Sequence, residues 1–200
     1  MTRWIRSFDL PGTGWLQLAV NDPDGAERAA REIAERDGEG MPEYAEAVYP
    51  ELKAIRENMG ERDAAPVAVY VPPVPPATRP LIPVSAYVEG RRWSPAERSM
   101  ETVLAEVGRP QPYRFGEPGI TVVELPAGPA CRLHEVVLHD RGDDGRRFMT
   151  EHLDHFVLPP ECPEGIFMFS VTWSSLAIGA DMAATADAMA ASLRITREPR

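Results

Sequence analysis

The sequence is poor in long apolar runs and in cysteine, and each shortage excludes a class of protein. No window approaches about 18 consecutive apolar residues, so we expect no membrane-spanning helix. The two cysteines, Cys131 and Cys162, form no CxxC pair, which excludes a disulfide scaffold and predicts two buried small side chains. The N-terminal residues lack the apolar stretch and cleavage site of a secretory signal, so we expect a cytoplasmic protein.

Lysine is almost absent, because Lys53 is the only lysine among 21 basic residues and the others are arginine. Asparagine is also scarce, whereas Ala, Gly, Pro, Asp and Glu are abundant, a pattern typical of a GC-rich bacterial genome such as that of an actinobacterium. The formal net charge of −10 repels phosphate backbones and anionic lipid surfaces. We therefore expect neither nucleic acid nor a membrane as the partner.

The 200 residues, 44% of them hydrophobic, are enough for one domain over residues 1–200 with a sizeable core. A helical block is predicted over about 22–60. Its first helix starts with Asp22 as the N-cap and Pro23 in the first turn. Its second helix, over 42–59, contains Pro50, which must either kink the helix or split it in two.

Two strands, 67–71 and 81–89, are predicted on either side of a proline-rich connection. The next helix follows a capping box at Ser94–Glu97 and ends before Gly108. From Gly119 the apolar period changes to two, and a strand meander is predicted over about 119–174, with strands at 120–125, 131–139, 147–158 and 166–173.

The last predicted helix covers about 180–193, rich in alanine, and the aromatic row Phe167, Phe169 and Trp173 needs a covering layer of this kind. Short connections between the strands favour antiparallel pairing. The predicted fold class is α+β: a mostly antiparallel sheet of about six to seven strands, covered by helices on both faces as an α/β/α sandwich.

The segment Ile166–Trp173 followed by the helix Asp181–Leu193, and the opening Phe8–Pro11 with Gly14 and Trp15, resemble the PsbP-like α/β/α sandwich. Bacteria also use this fold in small lipoproteins and in actinobacterial proteins. The resemblance implies a binding or assembly factor. Members of the fold share no catalytic residue set, so the resemblance implies no site residue for this chain.

The four histidines are the main candidates for chemistry, because all lie within the two strands that flank a turn at 140–145. Alternation places His152 and Asp154 on one face and His155 on the other. A hairpin about this turn would bring His134 or His139 close to His152. One alternative is therefore a metal site formed by His139, His152 and Asp154; the other is that these histidines lie on a solvated strand face.

A second candidate is the basic and aromatic cluster Arg91, Arg92 and Trp93, which either contacts an acidic partner or anchors a tryptophan in the core. The sequence contains no GxSxG, SxxK, P-loop or GxGxxG motif.

We therefore expect a non-catalytic interaction, assembly or accessory factor with a protein partner and no cofactor. The alternative is a metal-dependent enzyme or small-molecule-binding protein that uses the strand histidines. A homodimer through an exposed edge strand near 66–89 is a further hypothesis.

Overall fold

The structure is a computed structural model that describes residues 4–38, 40–92, 94, 98–139 and 147–198, with the backbone alone for Arg92. The described strands are β1 (Trp4–Ser7), β2 (Trp15–Leu18), β3 (Val67–Tyr70), β4 (Val84–Arg92), β5 (Arg114–Leu125), β6 (Gly128–His139), β7 (Phe148–Val157), β8 (Gly165–Trp173) and β9 (Arg194–Arg197). The described helices are α1 (Gly25–Ala34), α2 (Met41–Glu61), α3 (Met100–Val107) and α4 (Gly179–Ala191), with a short 3₁₀ helix at Leu176–Ile178. None of these helices combines the length and the apolar character that crossing a membrane requires.

The chain divides into two compact units. The larger unit comprises the described residues up to Asp9 and those from Gly90 onward, and the smaller unit comprises Leu10–Glu89. Seven strands, β2 to β8, form antiparallel ladders, which agrees with the predicted six to seven strands. The fold class is α+β, as predicted. The prediction of a single domain over residues 1–200 stays a prediction.

In the smaller unit, β3 lies between β2 and β4 and pairs antiparallel with both. Helices α1 and α2 pack against each other, and Ile33, Val48 and Leu52 are fully buried. Since β3 is paired along both edges, it offers no free edge. The hypothesis of an exposed edge strand near 66–89 is therefore wrong for β3.

Helix α2 is continuous across Pro50, so the prolyl ring does not split it into two helices. Proline removes one backbone donor and crowds the preceding turn, which costs about 3 kcal/mol in an isolated helix. Here Val48 and Leu52, on either side of the proline, are completely buried. Packing of these flanking residues offsets the cost.

Helix α1 begins at Gly25, three residues later than its predicted N-cap at Asp22. The carboxylate of Asp22 accepts a hydrogen bond from the backbone N–H of Asp24 at 2.9 Å and pairs with Arg28. These contacts lower the pKa of Asp22, the hydrogen bond from Asp24 most of all. The side chain therefore closes a turn ahead of the helix instead of capping it.

In the larger unit the strand order is β8, β7, β6, β5, all antiparallel, as the meander predicted. Helix α3 packs on one face of these strands, where Val103 and Val107 are buried. Helix α4 packs on the opposite face, against β7 and β8. This arrangement gives the larger unit the α/β/α layering predicted from the sequence.

The aromatic row of β8 is buried, with Phe169 and Trp173 at most 1% exposed. Besides α4, the N-terminal segment covers this row. The Trp4 and Phe167 rings pack edge-to-face with their centroids 6.3 Å apart, and the Phe8 and Phe169 rings do so with their centroids 5.1 Å apart. The strand β1 is held there by an antiparallel pair with β9, an element that the sequence analysis did not predict.

Two predicted local features fall wholly or partly outside the described residues. The turn at 140–145 lies outside them, as do three residues of the capping box at Ser94–Glu97. The described helix α3 begins at Met100, and its N-cap is Ser99, whose hydroxyl accepts a hydrogen bond from Thr102 N–H at 3.1 Å.

The close approach of α1 to β2 can be tested at Gly25. A methyl group on Gly25 would lie 2.0 Å from the carbonyl oxygen of Ala19, which is rigid backbone. We expect Gly25→Ala to lower the free energy of unfolding by about 1–3 kcal/mol in urea titrations. The matched control is Gly60→Ala in α2, where the nearest atom is 3.7 Å away. This control should be neutral or stabilising by up to about 1 kcal/mol. An equal loss of unfolding free energy in both variants would contradict the close approach of α1 to the carbonyl of Ala19.

Candidate functional site

The two faces of the strands in the larger unit carry different polar side chains, and the strand register assigns each one. Arg132 and His155 are register partners and face α4, together with His134 and Glu151. Glu135 and His152 are partners on the face that packs on α3, and Asp154 shares that face. His152 and Asp154 thus lie on one face and His155 on the other.

On the α3 side, two histidines meet at one hydroxyl. Oγ1 of Thr150 lies 2.8 Å from Nε2 of His139 and 2.7 Å from Nε2 of His152. A hydroxyl has one proton to donate, so at most one imidazole accepts this proton and at least one donates its own N–H to the oxygen. The His139 ring stacks on Phe148 at 4.4 Å, and Nδ1 of His152 lies 3.3 Å from Oγ1 of Thr172.

Burial, and secondarily the nearby His139, lowers the pKa of His152 to about 4, so its imidazole is neutral at pH 7. Asp154 is absent from this His–Thr–His chain and lines the cavity described below. Within the described ranges, no group of three or more His, Cys, Asp or Glu side chains is placed to hold a metal ion. The structure brings His139 and His152 together, and the predicted metal site of His139, His152 and Asp154 stays a prediction.

A cavity of about 210 Å³ lies between α3 and the strands, on the same face as the hydrogen-bonded residues His139, Thr150 and His152. Its apolar walls come from Val103, Val107, Leu133, Phe156, Ile166 and Met168, and its polar groups from Arg91, Gln111, Arg114, Glu135 and Asp154. Ligand pockets usually measure about 300–1,000 Å³. This volume therefore suits a small ligand or a few water molecules.

The charged pair at this cavity is part of the scaffold. Nε of Arg114 donates to Oε2 of Glu135 at 2.5 Å, and both side chains are less than 10% exposed. The remaining guanidinium nitrogens donate to the carbonyl oxygens of Val107 and Arg109, at the C-terminal end of α3. A cation at this position complements the helix dipole and fixes α3 on the strands.

On the α4 side, the carboxylate of Glu151 is only 9% exposed and has two donors. Nε2 of His134 lies 2.7 Å from its Oε1, and Nε1 of Trp173 donates to its Oε2 at 2.8 Å. The same carboxylate faces the first residue of α4, because a methyl group on Gly179 would lie 2.5 Å from Oε2. A negative charge there stabilises the N-terminal end of a helix.

Further along α4, Asp187 binds Arg132 through two hydrogen bonds of 2.8 and 3.0 Å. The same carboxylate lies 3.2 Å from Nε2 of His155, which is 1% exposed. Burial lowers the pKa of His155 to about 4, although Asp187 opposes the shift. Nδ1 of His155 has no hydrogen-bond partner within the described part of the chain, so this Asp–His pair faces no nucleophile there.

The predicted basic and aromatic cluster is only partly described. Arg91 is exposed near the end of β4 and contributes to the cavity on the α3 side. For Arg92 the structure describes the backbone alone, and Trp93 lies outside the described residues. Whether these three residues act together stays a prediction.

The larger unit also has an exposed apolar surface, which the sequence analysis did not predict. Phe115 is 62% exposed at the start of β5, opposite Val136, and Tyr113 just before it is 46% exposed. On the same sheet face, Leu138 and Met149 are paired and partly exposed. Leu176 and Ile178 are 43% and 39% exposed and directly precede Gly179, which lies against Glu151 on this face.

We call this surface the apolar end patch and define it by Phe115, Val136, Leu138, Met149, Leu176 and Ile178. Apolar residues scattered singly are normal on a protein surface, whereas a contiguous group is typical of an interaction site. The sequence signal for it is slight, because Phe115, Leu176 and Ile178 lie outside the predicted strands, and alternation alone does not show which apolar strand residues remain exposed.

No family model matches the chain, and no curated protein matches it. Among solved structures, the chain is similar to LpqN of Mycobacterium tuberculosis, an actinobacterial protein described as involved in cell envelope biogenesis. The similarity covers 98% of this chain and 85% of LpqN, with 12% identity and a TM-score of 0.48. The description of LpqN does not mention the PsbP-like fold.

The two buried neutral histidines predict a loss of stability in acid. Unfolded histidine titrates near pH 6.5, whereas His152 and His155 titrate near pH 4 in the folded chain. Between these values the unfolded chain binds more protons, so the free energy of unfolding falls as the pH falls from about 6.5 to about 4. For His155 the loss amounts to at most about 3 kcal/mol.

Urea titrations at several pH values measure the slope of the free energy of unfolding against pH. We expect His155→Gln and His152→Gln each to reduce the slope between pH 6.5 and 4, and the double variant to reduce it further. Comparison of slopes separates the titration from any constant loss of packing in a variant. A slope that both single variants leave at the original value would show that other groups control the acid sensitivity.

Proposed function

We propose that this chain is a non-catalytic interaction protein of the bacterial cytoplasm, an accessory or assembly factor that binds a partner protein. The observation that carries the proposal is the apolar end patch, whose most exposed member, Phe115, has 62% of its surface in solvent. Burying aromatic and aliphatic side chains of this kind is the usual source of affinity at the centre of a protein interface.

The arrangement of the polar groups supports a binding role. Glu151 and Asp187 hold α4 on the strands, and Arg114 holds α3. A catalytic base must reach a substrate proton or a nucleophile, but His155 is 1% exposed. These charged groups are thus engaged in fastening helices.

The net charge of −10 also bears on the partner, since it disfavours nucleic acids and anionic lipid surfaces and favours a neutral or basic protein. An apolar patch on an acidic protein fits a partner that presents apolar side chains surrounded by basic ones. We further propose that the α/β/α layering of the larger unit is of the PsbP-like kind. Its support is the placement of α3 and α4 on opposite faces of the strands.

A small-molecule-binding or metal-dependent role is the second candidate. The observation in its favour is the cavity of about 210 Å³ on the α3 side, beside the His139–Thr150–His152 chain. Elemental analysis of the purified protein tests the metal. A stoichiometric metal that His152→Ala removes would favour this second role.

If the apolar end patch binds the partner, polar substitutions in it should weaken that binding. Tagged protein should retain a stoichiometric protein partner from lysate of the native bacterium, and the purified pair should then be measured by calorimetry. We expect Phe115→Ser and Ile178→Ser each to weaken this binding by about tenfold or more, because each removes an exposed apolar contact.

The matched control is Tyr49→Ser, which removes an aromatic side chain of 40% exposure from the smaller unit. It should leave the affinity unchanged, and the thermal unfolding of all three variants should match that of the original protein. Recovery of the bare protein in repeated captures, or full affinity in both patch variants, would overturn the proposal.

A further inference from the structure

The smaller unit contains the terminal strand β2 and the larger unit contains the terminal strand β5, and the two strands differ in how the outer edge is covered. In the smaller unit, α1 covers the edge of β2: Gly25 lies against the carbonyl of Ala19, which follows β2, and Arg36 lies 3.5 Å from the carbonyl oxygen of Trp15. Covering an edge with a helix is a common protection against strand addition.

In the larger unit, β5 is the terminal strand, and β6 is its strand partner in the described part of the chain. None of its 12 residues is buried. Its register shifts between Phe115 and Gly119, and from there a regular ladder runs to Leu125. At the middle of that ladder, Val122 is 53% exposed.

We propose that the outer edge of residues 119–125 pairs antiparallel with the same segment of a second copy of this chain, with Val122 opposite Val122. Edge strands present a row of backbone donors and acceptors that a second strand can satisfy. The occupant is a second copy, because the segment is symmetric about Val122 in the features that an antiparallel pair with itself requires.

The first symmetric feature is the position of the prolines. Pro118 and Pro126 stand four residues before and four residues after Val122, and each lacks the N–H that a ladder needs. The proline-free segment between them therefore has the same length on both sides of the proposed two-fold axis. A foreign strand would place no such demand on the spacing.

The second feature is the pairing of side chains across the axis. The register centred on Val122 sets Thr121 opposite Val123, Gly119 opposite Leu125 and Ile120 opposite Glu124 of the other copy. Cross-strand pairs between β-branched and other apolar residues stabilise a sheet. The valine pair at the centre covers the most exposed apolar residue of the ladder.

The third feature is the position of the acids, Glu117 and Glu124. A register shifted by three residues would set Glu117 directly opposite Glu124, and a shift of four in the other direction would set Glu124 opposite itself. Like charges directly opposite each other destabilise a strand pair. The register centred on Val122 avoids both of these acid pairs.

A ladder of seven residues is short, and interfaces below about 1,200 Å² are usually transient. We therefore expect a reversible dimer that forms at tens to hundreds of micromolar, on the order typical of weak contacts. The inference does not rest on the proposed function, because it uses residues 119–125 and not the apolar end patch.

Sedimentation equilibrium of the full chain from about 5 to about 500 µM tests the dimer. The original protein should move towards twice the monomer mass as its concentration rises. Val122→Glu and Val122→Lys should each remain monomeric, because each sets like charges against each other on the axis. An equimolar mixture of these two variants should regain the dimer, since the central pair is then of opposite sign. A misfolded variant could not produce this recovery.

The matched control is Val74→Glu, which adds the same charge at a valine that is 75% exposed in the smaller unit. It should dimerise like the original protein. An original protein that stays monomeric throughout this range would overturn the inference. So would a dimer that Val122→Glu leaves intact, because that dimer would use another surface.

Discussion

The larger unit depends on the attachment of α4 to the strands, and two carboxylates provide its polar contacts. Glu151 sits at the N-terminal end of the helix, where His134 and Trp173 also donate to it. Asp187, two turns further on, binds Arg132 and lies against His155. Without the helix, the buried row of β8 would lose one of its covering elements, and Arg132 and His155 would lose the carboxylate of Asp187.

The same attachment explains which residues remain for contact with other molecules. Histidines and carboxylates that resemble catalytic groups in the sequence lie instead between helix and strand. Among the exposed large apolar side chains of the larger unit are Phe115 in the end patch and Val122 at the strand edge. Both Phe115 and Val122 belong to β5, which makes its main contacts with β6 and not with α3 or α4.

The fold class followed from local periodicity, because alternation in 119–174 is a strong signal for half-buried strands and the alanine-rich segment is a strong signal for a closely packed helix. The same alternation correctly separated the face of His152 from that of His155. Local chemistry was less informative where two contacts compete. Asp22 closes a turn with Asp24 instead of capping α1, and Pro50 is tolerated inside α2 because Val48 and Leu52 are buried on either side. The metal site of His139, His152 and Asp154 stays a prediction, because spacing along two strands does not fix the distances between three side chains.

By itself, the sequence determined the α+β class, the antiparallel order of the meander and the placement of His152 and His155 on opposite faces, because these depend on residues close together in the chain. Only the tertiary structure decided the pairing of β1 with β9, which joins residues nearly 200 positions apart. It also decided the use of Glu151 and Asp187 to hold α4 and the exposure of Phe115 and Val122. Burial and ion pairing between distant segments depend on which surfaces meet after folding, and a linear pattern of apolar and charged residues does not contain that information.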